Sequence, residues 1–116
     1  MATILVADDE EMVRGLASLV LRSAGHQVIT AANGVEAVAL FRSSPDKFDV
    51  IVTDLRMPVM DGRQVVRLVR ETKPGARIVC MSGYAEQGIP NDVEFLCKPF
   101  LPGALRESVD KLLRRG

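Results

Sequence analysis

No tryptophan occurs in these 116 residues, cysteine occurs only twice, and neither sign of charge is in excess, with 15 Lys and Arg against 15 Asp and Glu. No run approaches the roughly 18 apolar residues that a membrane-spanning helix needs. Met1-Ala2-Thr3 leads straight into a short apolar run without the charged region of a secretory signal. A membrane-embedded or exported protein is therefore not expected, and a cytoplasmic setting is. Cys80 and Cys97 stand in apolar segments with no CxxC spacing and no neighbouring histidine, so both are expected as buried, reduced thiols without chemistry. No internal repeat, linker or low-complexity segment interrupts the chain, which reads as one domain over residues 1–116. A chain of this length buries roughly two thirds of its unfolded surface, enough to fold without a disulfide or a structural metal.

The zero net charge hides an asymmetry. Residues 1–62 hold nine acids against five bases, and residues 63–116 hold six against ten. Several acids gather near the N-terminus, which suits a cation site; the basic stripe expected of a nucleic-acid binder is missing there. Arg63, Arg67, Arg70 and Lys73 do share one helical face, but are expected simply to be solvated.

Four apolar runs barely alternate: Ile4–Ala7, Val50–Val52, Ile78–Met81 and, more weakly, Val93–Cys97. Such runs fit strands covered on both faces. Gln27–Ala31 alternates and predicts a strand nearer an edge. Helical patterns lie between them. Met12, Val13, Leu16, Leu19 and Val20 keep a 3.6 period up to Gly25. Asn33 with Glu36 has the form of a capping box, Asp61 is a second N-cap, and Pro102 suits the first turn of a last helix. Strands alternating with helices imply right-handed βαβ units and a parallel sheet with helices on both faces. Between Ser82 and Val93 the segment GYAEQGIPND is too short and too rich in Gly and Pro for a helix with two turns, so at most a single helical turn is expected there.

The polar residues that close these runs are more informative. The runs end in Asp8-Asp9, Asp54, Ser82 and Lys98, and in open parallel sheets ligands bind beyond the carboxyl ends of the strands. Asp9 or Glu10 could serve only as an N-cap, but Asp54 cannot, because Asp61 already caps the next helix. Carboxylates converging within about 5 Å repel by roughly 3 kcal/mol per pair at an effective dielectric near 20. Lys98 can offset part of that, and a hard divalent cation the rest. Mg²⁺ bound through carboxylates, water and a phosphate oxygen points to phosphoryl chemistry on the Asp54 carboxylate.

The ordered motifs ILVADDEE, DVIVTDLRMPVMDG, IVCMSG and FLCKPF, spread over residues 3–114, closely resemble the receiver domain of two-component response regulators. The resemblance implies a flavodoxin-like (βα)5 three-layer sandwich with parallel strand order 2-1-3-4-5, the helix before the fifth strand being shortened or absent here. It implies Asp54 as phospho-acceptor, and Asp8 and Asp9 as the acidic pair for Mg²⁺ or Mn²⁺, with Asp9 the more direct ligand and the Arg56 backbone carbonyl completing the set. Ser82 becomes the hydroxyl that senses the phosphoryl group, Phe95 the aromatic switch, and Lys98 the lysine of the KPF signature, with a cis bond to Pro99. Met57, Pro58 and Gly62 match the loop after the acceptor. A sensor histidine kinase or a histidine phosphotransfer domain is implied as phosphodonor, meeting the first helix around Arg14, Gly15 and Ser18 and the loop after Lys98. The chain would be a switch domain, not a classical enzyme, and a monomer. The shortened segment resembles receivers attached to hybrid sensor kinases, though a free-standing receiver has the same signature. Arg56 and Tyr84, two residues beyond Asp54 and Ser82, should flank the phosphoryl group.

Three rivals are weaker. A haloacid-dehalogenase-type phosphohydrolase wants a second Asp where Arg56 stands, and an FMN-binding flavodoxin wants Ser, Thr and Gly where ADDEE stands. A pseudo-receiver, acting only as an interaction module, usually lacks an acid, the acceptor or the lysine, all of which are present.

Overall fold

A computed structural model describes residues 1–115. Five strands, β1 (Thr3–Ala7), β2 (Gln27–Ala31), β3 (Val50–Asp54), β4 (Ile78–Ser82) and β5 (Glu94–Cys97), alternate with helices α1 (Glu11–Ser23), α2 (Gly34–Ser43) and α3 (Gly62–Thr72), and helix α4 (Pro102–Arg114) follows β5. The sheet is parallel throughout, in the order β2-β1-β3-β4-β5. The expected fold class is therefore observed, including the missing helix: residues 83–93 join β4 to β5 through bends and one turn only.

The pleat sorts each continuous apolar run onto two faces. Leu5, Ile51, Ile78 and Cys80 pack with Ala37, Val38 and Phe41 of α2 and with Val65 and Val69 of α3. Ile4, Val6, Val52, Val79 and Met81 pack with Ala17 and Leu21 of α1 and with Leu105 and Val109 of α4. Full burial of a side chain such as Phe41 stabilises by roughly 1.5–3 kcal/mol. On the first face, where a helix before β5 would lie, Ile89 and Val93 of the connecting segment cover the sheet instead.

The caps are partly as expected. Asp61 and Gln64 form a full capping box, whereas Asn33 accepts from the Glu36 backbone N–H at 2.8 Å and the Glu36 side chain does not return. Gly62 follows Asp61 for a steric reason: a Cβ there would lie 2.2 Å from the Asp54 carbonyl oxygen, so only glycine lets α3 start against the end of β3.

Four expectations about faces are corrected. Helix α1 buries Ala17, Ser18 and Leu21, leaving Met12, Leu16 and Leu19 exposed; the small residues at 17 and 18 allow close approach to the sheet, and that narrow stripe wins over the wider apolar one. Ser18 is consequently not an outward docking residue, since its hydroxyl donates to the Arg14 carbonyl at 2.8 Å, and Arg14 itself bends back to donate to the Asp8 carbonyl at 2.8 Å. Cys80 is buried, which pushes its thiol up to about 12, but Cys97 is exposed because the edge strand β5 covers only alternate residues. The basic stripe on α3 is not merely solvated either: Arg63 pairs with Glu86 and Arg70 with Asp92, both in the β4–β5 segment.

Candidate functional site at the strand tips

Strands β1 and β3 are neighbours, and so are β3 and β4, so their carboxyl ends bring Asp8, Asp54 and Ser82 to one edge although they are far apart in sequence. Lys98, just past β5, is tied to the same edge by its backbone N–H, which donates to the Ser82 carbonyl at 2.9 Å. The following Lys98-Pro99 bond is cis.

The lysine side chain then crosses the tips of β4 and β3. Its Nζ lies 2.8 Å from Asp8 Oδ2, 3.0 Å from Asp54 Oδ2 and 3.3 Å from Glu10 Oε1. Burial works against the ammonium, but the carboxylates of Asp8 and Asp54 beside it outweigh that and raise its pKa above the ordinary lysine range. Asp8 is fully buried, and burial raises its carboxyl above the usual aspartate range despite Lys98 and the Glu10 N–H, with Asp54 adding to the effect. Asp8 Oδ1 accepts that Glu10 N–H at 2.9 Å. Asp8 therefore satisfies the amide at the start of α1, and neither Asp9 nor Glu10 supplies a side-chain cap there.

Carboxylate oxygens of Asp8, Glu10 and Asp54 lie within 4.8 Å of one another. Asp8 Oδ2 is ion-paired with Lys98, which it shares with Asp54 and Glu10, and among the described residues that buried oxygen accepts no hydrogen bond of its own. Three carboxylates sharing one ammonium, with a buried acceptor to spare, form a donor set that fits a hard divalent cation. The third member of this cluster is Glu10; the side chain of Asp9, the expected more direct ligand, is exposed and lines the cleft above the cluster. The cleft has a volume of about 670 Å³ and is bordered by Asp54, Lys98, Arg56 and Tyr84 on the polar side and by Val13, Leu16 and Phe100 on the other.

Asp54 is 3% exposed; its Oδ1 accepts from the Arg56 backbone N–H at 3.1 Å and its Oδ2 from Lys98. The Arg56 guanidinium lies 4.8 Å from the Tyr84 ring centroid, and its Nε donates to Glu86 Oε2 at 3.0 Å. Ser82 is buried; its hydroxyl accepts the Tyr84 N–H at 3.1 Å and donates to Glu86 Oε2 at 2.7 Å. That hydroxyl, Arg63 and Arg56 together pull the Glu86 carboxyl down to about 2. Phe95 is 38% exposed on the edge strand, so it is no ordinary core aromatic. Sequence reasoning missed Glu10 and Glu86. A signal existed for Glu10, since the residue after an acidic strand end sits at the start of a helix over the same tip. For Glu86 it was fainter, an acid four residues beyond Ser82 in a segment facing surplus arginines.

Comparison with known proteins gives a family and related structures. The family model of the response regulator receiver domain matches residues 4–110. The Brucella abortus sensor kinase CckA is 37% identical over 98% of this chain, which spans 13% of that protein's length. The Brucella abortus response regulator receiver protein CpdR is 31% identical, with 97% of this chain and 98% of CpdR covered. Among solved structures, the receiver domain of the hybrid histidine kinase CckA superposes with a TM-score of 0.87 at 32% identity, covering 97% of this chain and 99% of that one.

Proposed function

The chain belongs to the response regulator receiver family, and from that premise we propose that it accepts a phosphoryl group on Asp54 and acts as the switch of a phosphorelay. One observation carries the reading most strongly. The Lys98 ammonium lies between two buried carboxylates, 3.0 Å from Asp54 and 2.8 Å from Asp8, so the acceptor stands beside the positive charge that its product needs.

In the proposed reaction a carboxylate oxygen of Asp54 attacks the phosphorus of a phosphohistidine or a small acyl phosphate. The new P–O bond forms as the donor's P–N or P–O bond breaks, and the leaving group takes the electron pair. Lys98 stays protonated and pairs with the oxygens of the transferred group. Asp8, Asp9 and Asp54, with the Arg56 carbonyl and with Glu10 close by, would hold Mg²⁺ or Mn²⁺, which when bound supplies further neutralisation of those oxygens. The aspartyl phosphate carries extra charge and new acceptor oxygens that draw the Ser82 hydroxyl toward them. Phe95, already half out of the core, turns in behind it. Moving such an equilibrium from mostly off to mostly on takes roughly 5 kcal/mol of differential stabilisation. Hydrolysis of the acyl phosphate resets the switch.

A sensor kinase or histidine phosphotransfer domain is the proposed donor, and the exposed Met12, Leu16 and Leu101 near the cleft are its proposed contact. Among the described residues no helix is long and apolar enough to cross a membrane. The proposal is tested by incubation with acetyl phosphate and Mg²⁺ followed by intact mass. One phosphoryl group should add to the wild type and none to Asp54→Asn; no uptake by the wild type would leave an interaction module. On the labelled protein, Tyr84→Ala should shorten the phosphorylated lifetime several-fold, because the ring and the stacked Arg56 cover the approach of water. An unchanged lifetime would assign Tyr84 only to covering the loop.

A further inference from the structure

Ser82 has two demands on one hydrogen. In the structure that hydrogen is donated to Glu86, at 2.7 Å, whereas the phosphoryl switch requires it for an oxygen on Asp54, one strand over. Glu86 is held firmly where it competes. Its side chain is only 4% exposed, Arg63 donates to Oε1 at 2.9 Å, and Arg56 shares Oε2 with Ser82 at 3.0 Å. The segment that carries Glu86 has no helix of its own, and its polar ties to α3 are Arg63–Glu86 and Arg70–Asp92.

We propose that Glu86 is a positioning residue that occupies the Ser82 hydroxyl in the resting state and competes with the phosphoryl group for it. This deepens the phospho-acceptor reading and rests on it. A carboxylate is the natural competitor, being an anionic oxygen acceptor like a phosphoryl oxygen and similarly suited to guanidinium and hydroxyl donors. When the hydroxyl turns to the aspartyl phosphate, Glu86 loses one of its three donors and Arg56 is freed toward the new anion. The connection over residues 83–93 then loosens from α3. Where a helix would make this connection stiff, here its resting position depends on the hydrogen bond that phosphorylation removes.

Beryllofluoride with Mg²⁺, a non-covalent phosphoryl mimic, supplies the test on the whole chain. Glu86→Ala should tighten beryllofluoride binding about tenfold, the factor that corresponds to one hydrogen bond of about 1.4 kcal/mol. In a Ser82→Ala background the same substitution should give at most a small gain, because there is no hydroxyl left to release. Glu86→Gln, which keeps an acceptor oxygen and the shape of the side chain, should fall between and covers the case in which Glu86→Ala fails to fold. Amide exchange across residues 83–93 should rise on beryllofluoride binding in the wild type and be high already in Glu86→Ala. Equal affinity in wild type and both Glu86 variants, or a gain that persists undiminished without Ser82, would overturn the proposal while leaving Asp54 as acceptor. Absence of any beryllofluoride binding or phosphoryl uptake by the wild type would instead remove the parent reading, and this one with it.

Discussion

Two charge clusters share the carboxyl edge of the sheet, built from the same chemistry in opposite proportions. Around Lys98, three carboxylates meet one ammonium; around Glu86, two guanidiniums meet one carboxylate. The first has a buried oxygen with no hydrogen-bond partner and an excess of negative charge, so it calls for a cation. The second is complete in its hydrogen bonds and carries an excess of positive charge, so it suits an incoming anion. Asp54 belongs to the first and Ser82 to the second, and Arg56 joins them, its N–H on Asp54 and its side chain on Glu86. A metal-assisted phosphoryl transfer needs both signs within a few ångströms, and the fold supplies each from different strand tips.

The contrast between the clusters breaks most visibly at Lys98. Replacing it by Met leaves Asp8 and Asp54 buried without their counter-charge, and removal of one partner of a buried pair costs about 3–5 kcal/mol. Urea denaturation of Lys98→Met should show a loss of that order. Because the remaining carboxylates then lack the Lys98 ammonium, added Mg²⁺ should raise the variant's unfolding midpoint more than the wild type's, as expected for a ligand that binds only the folded state. A loss below about 1 kcal/mol would mean that water already screens the cluster, as it does at exposed ion pairs.

How far these clusters could be read from the sequence depended on what fixes each residue. Asp8, Asp54, Ser82 and Lys98 each end a run of buried apolar residues, and such runs fix where a strand stops and which edge its last residue reaches. Strand order came through the family resemblance, since apolar runs alone do not say which strands are neighbours. The approach of Glu10 to Asp8 and Asp54 was less legible than the strand ends, because it depends on how the chain leaves β1, where the Glu10 N–H donates to Asp8. The buried face of α1 was misread because apolar spacing marked Met12, Leu16 and Leu19, while close packing on the sheet selected the smaller Ala17 and Ser18. Glu86 was only faintly legible, for a different reason. A segment without periodicity carries little record of which side chain turns inward, and the arginines that hold Glu86 come from elsewhere, Arg56 from the loop after β3 and Arg63 from α3.

The second cluster is expected to break more gently. Arg63→Ala removes one of two guanidiniums from Glu86, and the Arg63 side chain is 40% exposed, so solvent already screens the pair. The cost should be about 1 kcal/mol, the upper end for such pairs because Glu86 itself is nearly enclosed. Read by amide exchange, residues 83–93 should open roughly fivefold more often, the factor that corresponds to about 1 kcal/mol. Mg²⁺ affinity at the first cluster should not move. A parallel loss of Mg²⁺ affinity would show that the two clusters are one network and that the contrast between them is only apparent.

The smallest effect comes from the loop that links the clusters. Between Arg56 and Asp61 the chain turns tightly at Val59, which has φ of 68°, with the Met60 N–H donating to the Pro58 carbonyl at 2.8 Å. A left-handed backbone is unfavourable for a β-branched residue by about 1–2 kcal/mol, and the Val59 side chain, 94% exposed, gains little from packing in return. Val59→Gly relieves that strain at an entropic cost in the unfolded chain of about 0.4–1 kcal/mol. The net expectation is a stabilisation of about 0.5–1 kcal/mol, measured by thermal or urea unfolding. Val59 touches neither cluster, so beryllofluoride and Mg²⁺ affinities should match the wild type. A stabilised variant with altered affinity would instead mean that strain at Val59 is transmitted through Arg56, making the turn part of the switch as well as a connection.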